Sequence, residues 1–135
     1  MEAPDSVLRE IIDRFVQPSH TERLLFLLEK PKRRSQLYEE LLHDASKLRR
    51  DRQQALVPPL SDPDQLLALL RKKGAGQACF VFGSHHEPDG QQADFRTALA
   101  SVAGQMSEVI LYCPQAQVAF VEEHDGQQFI LSTKL

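Results

Sequence analysis

Residues 77–113 read QACFVFGSHHEPDGQQADFRTALASVAGQMSEVILYC, and the layout of this stretch decides the fold. Its two ends, QACFVFG (77–83) and EVILYC (108–113), are short apolar runs of the composition expected of buried strands. Between them, ADFRTALASVAG (93–104) places Phe95, Leu99 and Val102 on one helical stripe, with Gly104 just past its end. Strand, helix and strand in that order predict a right-handed crossover with the two strands parallel. Downstream, QVAFVEE (117–123) and QFILS (128–132) read as two further strands. They are joined through Asp125–Gly126, a strong hairpin signal, while PQA (114–116) makes another tight connection. The expected product over residues 74–135 is a four-stranded mixed sheet of β-α-β-β-β order. The crossover helix covers one of its faces and the N-terminal half the other.

That N-terminal half, residues 1–73, reads as a helical lobe of about four helices. Val7, Leu8, Ile11, Ile12 and Phe15 fall at helical spacing, and Pro18 closes the segment. Ser19 and Glu22 have the spacing of a capping box for the next helix. Its run Leu24, Leu25, Phe26, Leu27 and Leu28 implies burial on most sides. Pro31 opens a third segment, striped by Leu37, Tyr38, Leu41, Leu42, Ala45 and Leu48. After the proline-rich loop LVPPLSDPDQ (56–65), Asp62 and Pro63 start a helix that stops at Gly74. Its Arg71, Lys72 and Lys73 suit the negative end of the helix dipole. The whole, residues 1–135, is expected to be a single α+β domain.

Composition narrows the function classes. The chain is 41% hydrophobic and 26% charged, with net charge -3, which argues against a dedicated nucleic-acid binder. Its longest apolar clusters fall far short of the roughly 20 residues that span a bilayer. The acidic N-terminus does not read as a signal peptide. With only Cys79 and Cys113, both in apolar runs, buried free thiols and a cytoplasmic location are expected. Charge is unevenly spread: residues 1–73 hold 14 Lys+Arg against 12 Asp+Glu, whereas residues 74–135 hold 2 against 7.

Three candidate sites follow. Residues 30–52 carry 8 basic and 4 acidic side chains, and Lys32, Arg33, Arg34, Arg49, Arg50 and Arg52 form a basic helical face. Such a face suits an acidic protein partner or self-association through the acidic C-terminal half. A second candidate is a ligand, anion or metal pocket of Ser84, His85, His86, Glu87 and Cys113, since parallel strands would bring their carboxyl ends to one crevice. The same geometry sends His124 to the opposite edge. SHHEPDG (84–90) also carries what an ordinary solvated turn requires. The third is nucleic-acid binding. TERLLFLLEKPKRRSQLYEELLHD (21–44) resembles the paired helices of winged-helix DNA-binding domains, with a recognition helix starting at Ser35, Gln36 and Tyr38. That helix would continue into Glu39, Glu40 and Asp44, which is costly in a phosphate-lined groove, and no wing hairpin follows. With no phosphate-binding glycine loop, zinc CxxC pair, HExxH or nucleophile elbow, the reading leans to a non-enzymatic interaction or regulatory domain without metal or cofactor.

Overall fold

The computed structural model describes residues 3–42, 45–83 and 90–133. Among the described residues five α-helices, α1 (Pro4–Phe15), α2 (Pro18–Leu28), α3 (Arg34–Leu42), α4 (Pro63–Lys72) and α5 (Phe95–Val102), accompany six strands. The strands are β1 (Gln53–Leu56), β2 (Ala78–Phe82), β3 (Gln92–Asp94), β4 (Val109–Cys113), β5 (Val118–Glu122) and β6 (Gln128–Ser132). They form one sheet in the order β1-β6-β5-β4-β2-β3, and every pairing is antiparallel.

The α+β class holds, but the four-stranded mixed sheet does not. β2 and β4 are antiparallel, with Phe80 opposite Tyr112 and Phe82 opposite Ile110. The cause is β3. Its three residues run back along β2 and pair with it before α5 begins, so the helix connects β3 to β4. β3 and β4 both run against β2 and therefore point the same way, flanking it. A crossover between parallel strands is present, but it passes over β2 rather than starting from it. The second unexpected strand, β1, lies in the half read as purely helical and pairs with β6 from Gln53–Leu131 to Leu56–Gln128.

Period-two alternation in the central strands builds two cores, one on each face of the sheet. Ile110, Tyr112, Ala119, Val121, Phe129 and Leu131 face α1, α2 and α3. Leu111, Cys113, Val118, Phe120 and Ile130 face α4 and α5. The N-terminal helices thus cover one face and α5 the other, as the sequence implies, with α4 beside α5. On the first face the Phe15 ring meets Tyr112 edge-on, centroids 6.1 Å apart at 78°.

Helix boundaries show which local signals matter. α2 starts two residues earlier than the capping-box spacing suggests: Gln17 is its N-cap, Pro18 takes the first turn, and no side chain caps it. Pro18 opens this helix as well as following α1. Burial of α2 is one-sided, since Leu24, Leu27 and Leu28 are buried but Phe26 is 49% exposed beneath the Lys30 ammonium. At α4 the expectation holds: Asp62 accepts from the Asp64 amide at 2.9 Å, with Pro63 next.

One polar knot lies inside the second core, at the end of the sheet where β5 finishes and β6 starts. Glu122 is fully buried. Its Oε1 accepts from the Gly104 amide at 2.7 Å and from Gln128 Nε2 at 2.9 Å, and its Oε2 accepts from the Ser107 amide at 3.0 Å. Gln128 in turn exchanges two 2.7 Å hydrogen bonds with the backbone of Leu60, as a neighbouring strand would. The chain leaving α5 and the proline-rich loop are both tied to the sheet through these two side chains.

Candidate functional site

The antiparallel sheet changes which loops share an end. Gly83, after β2, leaves at the end where β4 begins and β5 finishes, whereas Cys113 closes β4 at the other end. The geometric ground for joining Ser84, His85, His86 and Glu87 to Cys113 is therefore removed; those four residues lie outside the described ones. His124, expected at the edge away from Gly83, instead follows β5 at the same end, where its Nδ1 sits 2.9 Å from Glu108 Oε1. Among the described residues, no group of three or more His, Cys, Asp and Glu side chains is placed to hold a metal ion.

Both cysteines are buried free thiols. They lie on adjacent strands within the α4–α5 core. Burial, and secondarily the neighbouring Cys113, pushes the Cys79 thiol up to about 12, so it stays protonated at neutral pH.

The winged-helix likeness is met in part. α2 and α3 do form a pair, joined through a 3-10 turn at Pro31–Arg33. Tyr38, however, is 1% exposed in the first core, and Gln36 is engaged with Arg33 and Glu40. Of the three residues that would start the recognition helix, Tyr38 is used in packing, Gln36 in polar side-chain bonds, and Ser35 is exposed.

The basic face divides into two groups at opposite ends of α1. At the start of the helix, Arg34 donates to Asp5 at 2.7 Å, with exposed Lys32 and Arg33 alongside in sequence. Burial opposes the Arg34 charge, but its bonds to Asp5 and Tyr38 outweigh that and raise its pKa. At the far end, Leu48 bridges to Val16, the Arg49 amide donates to Phe15 O, and Arg52 Nη1 donates to Arg14 O at 2.7 Å. Asp5 and Arg14 are nine positions apart, or about 14 Å of helix.

Two arginines that the sequence reading missed, Arg9 along α1 and Arg14 at its far end, join these groups. The outward stripe of α1 runs through Ser6, Arg9, Glu10, Asp13 and Arg14, and together with Arg49 and Arg52 it lines an open groove of about 520 Å³. Arg9 pairs with Glu29 at 3.4 Å, Arg14 with Glu10 at 3.0 Å, and Arg49 holds Asp51 through two bonds of 2.7 and 3.0 Å. The Asp51 bond raises the Arg49 pKa, keeping it charged throughout the working range. Arg9 and Arg14 carry a sequence signal, since both fall on the polar stripe of an amphipathic helix. What no pattern supplies is the return of residues 48–52 to the end of that helix.

No helix among the described residues is long and apolar enough to cross a membrane. Comparison of the chain with protein-family models, curated proteins and solved structures finds no match.

Proposed function

We propose that this chain is a protein-binding domain without catalytic machinery of its own, which docks an acidic partner along α1. The observation that supports this most is the groove: four arginines, Arg9, Arg14, Arg49 and Arg52, line it against two carboxylates, Glu10 and Asp13. Arg50 is exposed beside it in sequence, and Lys32, Arg33 and Arg34 extend the positive surface past the start of the helix. Exposed ion pairs contribute little to stability, so carboxylates of a partner can replace those now paired with these arginines at small cost. Mixed signs in the groove favour a protein surface with patterned charge over a uniform polyphosphate. The net charge of -3 points the same way.

The test is a triple charge reversal, Arg9→Glu, Arg49→Glu and Arg50→Glu, on exposed or part-exposed side chains. The variant is expected to melt within about 3 °C of the wild type, since surface changes away from special features have small effects. It is also expected to lose an acidic protein that the wild type retains in affinity purification from nuclease-treated extract. An unchanged set of bound proteins, or loss of nucleic acid alone in untreated extract, rejects the reading.

A further inference from the structure

Tyr112 is fully buried beneath α1, yet its hydroxyl makes no hydrogen bond. Buried polar groups are almost always paired, so an orphan of this kind demands a reason. The phenol oxygen lies against Glu10 and Arg14, both of which line the arginine groove. Burial first, and then the Glu10 carboxylate, raise the Tyr112 pKa, which leaves the phenol a permanent proton donor at neutral pH. Glu10 meets Arg14 through a single 3.0 Å bond to Nε and does not accept from the phenol. A donor therefore lies just behind Glu10 and Arg14, which form the inner wall of the groove, beside a guanidinium already occupied by an exchangeable carboxylate.

We infer that this inner wall is a specific oxyanion subsite, in which one carboxylate or phosphate group takes the place of Glu10 on Arg14 and accepts a hydrogen bond from Tyr112. Arg49 and Arg52 flank the same space. Among the described residues Arg52 spends one of its five N–H donors, on Arg14 O, and the others supply further positive charge. The groove volume, about 520 Å³, is ample for an anionic side chain and its neighbours. The bond given up, between Arg14 and Glu10, is an ordinary i,i+4 surface pair of small net worth. The inference rests on the docking reading above and adds the group that is recognised: one buried oxyanion rather than diffuse negative charge.

Three probes separate the sources of that group: inorganic phosphate, a glutamate-rich peptide, and the same peptide with one glutamate replaced by phosphoserine. Each is titrated into the isotopically labelled chain and followed by amide shifts. All three are expected to move the amides of Arg14, Arg49, Arg52 and Tyr112. Tighter binding of the phosphopeptide assigns the subsite to a phosphate ester; equal binding assigns it to a carboxylate.

Tyr112→Phe is expected to weaken phosphate binding about tenfold, the worth of one hydrogen bond to a charged group. It should melt no lower than the wild type, because it removes a buried hydroxyl that has no partner. Glu10→Gln is expected to tighten binding about threefold by removing the competing carboxylate. Wild-type phosphate affinity in both variants overturns the subsite, as do shifts confined to residues outside the groove. Should charge reversal abolish partner capture while Tyr112→Phe changes nothing, only the subsite fails. Should phosphate bind as expected while charge reversal leaves capture intact, only the docking reading fails.

Discussion

Replacing Glu122 with alanine is expected to cost about 4 kcal/mol of folding stability, because three donors, the buried Gln128 amide among them, lose their acceptor at once. The amides of Gly104 and Ser107 and the side-chain amide of Gln128 all donate to this carboxylate. The carboxylate and the Gln128 amide are shielded from water, since Glu122 and Gln128 are 0% and 1% exposed. The damage spreads, because Gln128 is also what holds Leu60 and the proline-rich loop to the sheet. Glu122→Gln is expected to cost less, about 2 kcal/mol: Oε1 keeps its two donors, but the new amide group faces the Ser107 N–H. Denaturant midpoints at constant slope measure both. An alanine variant within about 1 kcal/mol of the wild type would show that the knot is not formed.

A loss of similar size is expected for Phe120→Ala, about 4 kcal/mol, or a fall of roughly 12 °C in melting temperature. Phe120 lies on central β5, fully buried, and packs with Leu111, Ile130, Phe95 and Leu99 in the α4–α5 core. Strands flank it on both sides, so the neighbours have little freedom to collapse into the vacated space. Val57→Ala is the matching control. At 87% exposure Val57 has almost no packing to lose, and its variant should stay within about 0.5 kcal/mol of the wild type. A Phe120→Ala loss below about 2 kcal/mol would mean that this face is not a closed core.

Much of this architecture is legible in the sequence, and the part that is not has a common cause. β4, β5 and β6 announce themselves because each is buried on both faces, and Asp125–Gly126 fixes the last hairpin. β1 and β3 carry no such pattern. Gln53, Gln54 and Ala55 are half-buried or exposed, and Gln92 and Asp94 are exposed, as suits strands at the two edges of the sheet. They are strands because β6 and β2 offer them backbone partners, which local composition does not encode. Missing β3 then carried a sound handedness rule to the wrong pair of strands. It inverted the placement of Cys113 and His124 relative to Gly83.

The candidate site divides along the same line. Arg49, Arg50 and Arg52 stand out by density of charge. Arg9 and Arg14 look like the ordinary solvated face of an amphipathic helix until Leu48 docks on Val16 and brings the two stretches together. Tyr112 is less visible still: within VILYC it reads as core, and only its place under Glu10 and Arg14 gives its hydroxyl a role.

The position of Tyr112 beneath α1, and with it the sorting of every polar loop, depends on β2 and β4 running in opposite directions. Val81 gives its backbone groups to Gly90 and Gln91, so opposite Leu111 it forms the non-hydrogen-bonded pair of the β2–β4 ladder. In such a pair the α-carbons approach to about 4.5 Å and the two α-protons lie face to face. The most direct measurement is the nuclear Overhauser effect between those α-protons. A strong Val81–Leu111 cross-peak is the expected result. Its absence, with Phe80 instead contacting Ile110 and Phe82 contacting Tyr112 in parallel register, would contradict the sheet and the groove built upon it.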